Sequence, residues 1–339
     1  MNGEVEIFGR APDGTPVEKI VISNGGATAS LISWGASLQD FRVKGIDHPL
    51  VLGSSVLEPY FEQMRYNGAI AGRVANRIKD GTATLDGKSY RFDRNENGVT
   101  TLHGGADGSS NLVWTIADRG ATHCRFALRM ADGLAGFPGN LDVAVTYMIT
   151  DDGTLRLEIE AETDAPTFCN FAHHSYWNLD GAADLSNHTL TVHADRYLAV
   201  DERLIPQGAP KPVDGTRFDF REPQPVIQPD AEPLDHNFCC FDAPSDDLRE
   251  LAILSTPDLA LHIRSTEPGF QVYDGARMDT TPAAGLTGMP YGPYAGIALE
   301  PQRWPDGPNR PEFPTVILRP GETYRQISEF RITDATETS

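Results

Sequence analysis

The stretch Phe168-Cys169-Asn170-Phe171-Ala172-His173-His174-Ser175-Tyr176-Trp177-Asn178-Leu179 combines adjacent histidines, stackable rings and neutral hydrogen-bonding side chains, with no formal charge. Such a mixture fits a carbohydrate ring. Aromatic faces meet apolar C–H faces, amides and hydroxyls read OH groups, and imidazole moves protons near neutral pH. The plainer reading is a buried strand whose histidines bond to backbone. Four other segments bear on the choice. Gly72-Arg73-Val74-Ala75-Asn76-Arg77-Ile78 sets an amide beside a guanidinium, and Leu102-His103-Gly104-Gly105 sets a histidine at a turn where glycines allow close backbone approach. Leu234-Asp235-His236-Asn237-Phe238 offers a carboxylate among turn residues, and Ile297-Ala298-Leu299-Glu300 ends an apolar strand on another before Pro301-Gln302-Arg303-Trp304-Pro305-Asp306. Singly, each has an ordinary explanation: a surface ion pair for the arginine, a capped turn for His103 or Asp235, a solvated strand end for Glu300. Together they could transfer protons on a polyhydroxylated substrate, provided the fold brings them to one place.

The elements that would do so read as β-structure. Val17–Ile22 precedes the turn Asn24-Gly25-Gly26, and a β-like run follows from Ala27 through Val43. Alternation at Leu141, Val143, Val145, Tyr147 and Ile149, a turn at Asp151-Asp152-Gly153, and alternation at Leu155, Leu157, Ile159 and Ala161 predict a hairpin. Asp86-Gly87 predicts another between 83 and 92. Further strands are expected at 188–194, 251–254, 259–264, 270–273, 295–299 and 323–332. The exception is a short helix opened by a capping box at Ser55-Val56-Leu57-Glu58, with Leu57, Tyr60, Phe61 and Met64 on one face and Pro59 limiting its length. With no βαβ alternation, repeat or composition break, the expectation is one mostly antiparallel all-β domain over 1–339, a sandwich or distorted barrel, with 333–339 frayed.

Composition narrows the partners. Lys+Arg 28 against Asp+Glu 48 gives a formal net charge of −20, which disfavours nucleic acid, anionic membranes and strongly anionic substrates. No apolar run approaches the roughly 18 residues of a spanning helix, and the first residues carry no basic and apolar leader pattern. Cys124, Cys169, Cys239 and Cys240 form no zinc-like spacing. A cytoplasmic protein with reduced cysteines, no metal and no cofactor is expected, as a monomer or homodimer.

In their order, the five segments resemble the aldose 1-epimerase (mutarotase) family, whose corresponding motifs read GRVANRI, LHGG, HSYFNL, DHNF and LETQNFPD. Phe313-Pro314 and Leu318-Arg319-Pro320-Gly321-Glu322 also fit. The resemblance spans nearly the whole chain and implies a β-supersandwich that interconverts the α and β anomers of a free aldose such as glucose or galactose, without metal or cofactor. It implies Glu300 as general base, His174 as general acid and His103 as a second active-site histidine near the ring oxygen. Asn76, Arg77, Asp235 and Gln271 would bind hydroxyls, and His173 would have no catalytic role. Tyr176 and Trp177 point oppositely in a strand, so at most one ring faces the sugar directly; Tyr176 is taken as that ring. Ring opening needs an ionised carboxylate and a charged imidazole, so Glu300 or hydrogen bonding should hold the His174 pKa up. Trp177, Trp304 and Pro301 depart from the family's usual Phe, Phe and Thr. Three alternatives stand beside this reading: a hexose-6-phosphate 1-epimerase with a basic phosphate cluster, a non-catalytic sugar-binding module, and a glycoside hydrolase using Glu300 and Asp235 as a carboxylate pair.

Overall fold

The computed structural model describes residues 3–228 and 230–335. Its strands form a nine-stranded sheet in the order Thr115–Arg119, His123–Met130, Leu141–Ile149, Leu155–Thr163, Tyr324–Asp334, Leu259–Ser265, Arg249–Ser255, Thr189–Val192, Gln224–Pro225. A four-stranded sheet runs in chain order through Val5–Arg10, Pro16–Asn24, Ala27–Ile32 and Ser37–Val43. A six-stranded sheet follows the order Tyr176–Trp177, Ile297–Gln302, Gly269–Tyr273, Asp235–Cys239, Arg196–Tyr197, Lys211–Pro212. Pairing within all three sheets is antiparallel, in agreement with the expected all-β supersandwich.

Period-two patterning explains how the sheets stack. In the hairpin paired from Leu141↔Thr163 to Ile149↔Leu155, Val143, Val145, Leu157 and Ile159 face inward. They share one continuous apolar core with Ile20, Leu31 and Phe41 of the four-stranded sheet and with Phe238, Phe270, Val272 and Leu299 of the six-stranded sheet. The strands Ile297–Gln302, Gly269–Tyr273 and Asp235–Cys239 therefore have one face committed to the core, leaving the alternate residues for the other face.

Four expectations are corrected. The capping box does not form: a single 3-10 turn, Glu58–Phe61, starts at Leu57 without a side-chain cap, because Pro59 sits in its first turn and the Ser54 hydroxyl accepts from the Val56 N–H instead. The β-like run 27–43 is two strands broken at 33–36, where Gly35 and Ala36 take positive φ. The last strand continues to Asp334, with Leu259↔Asp334 and Ala260↔Thr333 paired, so 333–335 does not fray; 336–339 lie outside the described residues. Finally, Glu300 lies within Ile297–Gln302 and pairs with Gln271. The strand passes through Pro301 because Tyr176–Trp177 flanks it only at Ala298 and Ile297, so no strand on that side needs the missing N–H.

Candidate active site

The free face of the six-stranded sheet assembles the site from cross-strand rows. Tyr176 stands opposite Ala298, Ala298 opposite Tyr273, and Tyr273 opposite Asp235; one step along, Glu300 stands opposite Gln271 and Gln271 opposite Asn237. The expected alternation at Tyr176 and Trp177 holds. Tyr176 lines a cavity, whereas Trp177 stacks on Phe330 in the core, centroids 5.3 Å apart. Asp235 is the first residue of a strand rather than a turn residue, which fixes its direction toward Tyr273 and Gln271.

Three loops close over this face. His174 is tied by its own N–H to the Ala69 carbonyl (2.9 Å), and its carbonyl accepts from Gly68 (3.0 Å). Asn76 and His103 grip each other: the His103 N–H donates to the Asn76 carbonyl at 3.0 Å, and the Asn76 N–H donates to His103 Nδ1 at 3.2 Å. Both residues take left-handed φ, +59° and +50°, conformations that non-glycine residues hold only where surrounding contacts impose them. Gly104 must follow as glycine, since a Cβ there would lie 2.1 Å from the Gly72 carbonyl oxygen. Asp306 joins the last motif to the first, accepting from the Lys79 N–H through Oδ1 (2.9 Å) and donating its N–H to the Arg77 carbonyl (3.0 Å).

The resulting cavity, about 770 Å³, is lined by Asn76, Arg77, His103, His174, Tyr176, Asp235 and Glu300. Gln271 stands one step behind; its amide donates to Asp235 Oδ1 at 2.6 Å. The two arginines of the first motif part company. Arg73 is fully buried and donates to the carbonyls of Met130, Pro138 and Gly139, a structural role. Arg77 faces the cavity, forked onto Glu96 at 2.8–3.2 Å with Asp235 at 3.6 Å. Glu96, itself fixed by the Thr100 hydroxyl at 2.5 Å, and Tyr66, whose ring sits 4.8 Å from His103 and 5.8 Å from His174, were not legible in the sequence. Glu96 lies in the turn-like Asn95-Glu96-Asn97-Gly98, and no pattern there distinguishes a partner for an arginine.

Electrostatics depart from the sequence expectation. Glu300 and His174 approach at 3.6 Å and are 2% and 5% exposed in their side chains. Burial pushes the Glu300 carboxyl well up, helped by Asp235 and opposed by Arg77. Burial also pushes the His174 imidazole down to about 4, rather than Glu300 holding it up as expected. Desolvation penalises both charges, and a contact longer than a hydrogen bond does not restore them. Both groups move toward the neutral pair. His103 is likewise lowered, by burial and then by His174. His173 is buried beside Tyr147 and Phe330 with its Nε2 on the Ser175 hydroxyl, outside the cavity.

His103, His174 and Glu300 place ligand atoms within 4.8 Å of one another, a grouping that could hold a metal ion. Their hydrogen bonding does not suit one. Metal-bound histidines donate their second N–H to an acceptor, but His103 Nδ1 accepts from Asn76. The hydrogen of its neutral ring therefore sits on Nε2, the nitrogen a metal would need bare.

The aldose 1-epimerase family profile matches residues 18–331. The chain is 37% identical to galactose mutarotase of Rattus norvegicus over 97% of this chain and 98% of that protein. It is 37% identical to aldose 1-epimerase of Escherichia coli K12, covering 95% and 96%. Its fold superposes on the aldose epimerase homologue from C. elegans with a TM-score of 0.87 at 30% identity, covering 93% of this chain and 98% of that one. On this match of sequence along its length and of fold, the chain belongs to the aldose 1-epimerase family.

Proposed function

We propose that the chain works as one aldose 1-epimerase domain in which Glu300 and His174 share a single mobile proton while opening and reclosing the hemiacetal of a free aldose. The observation that carries this reading is their 3.6 Å approach at the cavity floor. In the ionised arrangement, Glu300 takes the proton of the anomeric hydroxyl and His174 gives one to the ring oxygen as the C1–ring-oxygen bond breaks. The aldehyde then stands beside a neutral acid and a neutral imidazole. Rotation about C1–C2 followed by the reverse transfers closes the other anomer. Burial favours that neutral pair, which is the protonation state of the open-chain stage.

Arg77, Asp235, Asn76 and Tyr176 surround the sugar in this reading, and Gln271 orients Asp235. His103, with its hydrogen on Nε2, donates toward the ring oxygen or a neighbouring hydroxyl. A phosphorylated substrate is disfavoured because the cavity's cations, Arg77 and Arg277, stand among Asp201, Glu202, Glu232, Asp235 and Glu300, and Arg77 is already engaged by two carboxylates. A two-carboxylate hydrolase is disfavoured because Asp235 is held by Gln271 and Arg77. Cytoplasmic placement and a monomer or homodimer complete the proposal. Polarimetry on freshly dissolved α-D-glucose and α-D-galactose tests it. Acceleration well above a Glu300→Gln control supports it; binding without acceleration means a sugar-binding module, and action on hexose 6-phosphates alone means the phosphorylated substrate.

A further inference from the structure

Asn170 belongs to none of the groups that line the cavity, yet the segments that carry Asn76 and Arg77, His174 and Glu300 meet on it. It is fully buried. Its N–H donates to the Arg73 carbonyl and its carbonyl accepts from the Ala75 N–H, both at 2.8 Å, so its backbone pairs with the segment leading into Asn76 and Arg77. Its side chain turns the other way. Oδ1 accepts from the Arg303 N–H at 3.0 Å, and Nδ2 donates to the Arg303 carbonyl at 3.2 Å. The amide thus pairs with a residue's two backbone groups as a neighbouring strand would, just where Ile297–Gln302 runs out of strand. The pattern fixes the amide's orientation, because a flipped amide would face donor to donor and acceptor to acceptor. Asn170 also lies four residues before His174 on the same segment.

We infer that Asn170 is a positioning residue for the proposed anomerisation: its amide clamps the end of the Glu300 strand to the His174 segment and sets the Glu300–His174 distance. The inference rests on that proposed activity. The two segments also pair at Tyr176↔Ala298 and Trp177↔Ile297, on the other side of His174 and Glu300; without the Asn170 side-chain bonds the Arg303 end of that arrangement is released, while the backbone pairing to Arg73 and Ala75 remains. The hydroxyl-binding residues then keep their places and the proton-transfer geometry alone loosens. A displacement of about 1 Å at reacting groups is enough to lower turnover about a hundredfold.

The experiment compares kcat and KM by polarimetry, with melting curves, for wild type, Asn170→Ala, Asn170→Asp and Gln39→Ala. Gln39 is a buried amide bonded to the Ser54 carbonyl, outside the cavity lining, and reports what losing a buried amide does by itself. Asn170→Ala is expected to lower kcat about 30- to 100-fold with KM within about threefold. Asn170→Asp, which keeps the acceptor for Arg303 N–H and loses the donor, should lie between it and wild type. Gln39→Ala should melt earlier with kcat intact. Three results would overturn the inference: unchanged kcat in folded Asn170→Ala, an effect on KM alone, or an equal loss of kcat in Gln39→Ala. If Asn170→Ala fails to fold, Asn170→Asp decides, and kcat within about threefold of wild type overturns it. An inactive wild type would refute the proposed function instead, so the two failures are distinguishable.

Discussion

Among the described residues two glutamates are buried, each near an arginine, and they differ in what surrounds them. Glu300 opens on a cavity, with His174 at 3.6 Å and Arg77 shared among Glu96, Asp235 and itself. Glu267 is fully buried, with Arg303 at 3.6 Å and the Tyr324 ring beneath that guanidinium. Burial raises both carboxyls, Glu300 well above the usual range and Glu267 to about 7. Burial and a shifted pKa therefore do not identify the working acid. Access to a ligand and a second group that can exchange the proton do.

The comparison breaks most visibly at Glu300→Gln. Turnover should fall about 10³- to 10⁴-fold, at the upper end of general acid–base contributions. The melting temperature should hold or rise, because a buried group whose charged form is penalised by desolvation is replaced by one that cannot ionise. Retained turnover would mean that Glu300 is, like Glu267, only buried.

The pH profile sharpens the same contrast. With ordinary pKa values, kcat/KM would fall once the imidazole lost its proton near 6.5, about a hundredfold by pH 8.5. The buried pair behaves otherwise. Below about 4 His174 takes up a second proton, and the single proton is lost only above the raised Glu300 value. We expect kcat/KM for the free enzyme to pass through pH 6.5 without a break there. A steady tenfold loss per unit above 6.5 would refute the shared-proton arrangement.

Arg77→Lys separates the arginines. An ammonium cannot reproduce the fork on Glu96 while reaching Asp235, so KM should rise about tenfold, with kcat reduced less, in initial-rate polarimetry. A fall in kcat with KM unchanged would mean that Arg77 acts chiefly in the transition state.

How much of this was readable follows from the same residues. The 141–163 hairpin followed from period-two patterning, and the hairpin pairing Thr82–Leu85 with Lys88–Arg91 from its Asp86-Gly87 turn, both of which are local. The residues that converge came from motif resemblance, since nothing local links Asn76, His174 and Glu300 across 224 positions. The protonation state was misjudged because burial depends on loops closing over Glu300 and His174, and desolvation has no sequence signature. Glu96, Tyr66 and Asn170 were missed for a related reason: each acts through a distant partner. At Ser55–Glu58 the capping pattern was present, but the chain geometry around Pro59 overrode it.

The smallest effect tests the non-catalytic side. Glu267 is raised from 4.5 to about 7 by burial, opposed mainly by Arg303. A raised carboxyl binds more protons folded than unfolded, so its contribution to stability is full below about 4.5 and is lost as pH rises through about 7. Glu267→Gln cannot ionise and should flatten that part of the stability curve, leaving the variant less pH-sensitive than wild type between 4.5 and 7. Denaturant unfolding at stepped pH measures the slope, and polarimetry on the same samples should show kcat within about threefold of wild type. An unchanged slope would mean that Arg303 keeps Glu267 ionised throughout. A collapse of kcat without unfolding would mean that the two buried acids are coupled through Arg303, and the distinction between them would have to be drawn at Arg303 rather than at the cavity wall.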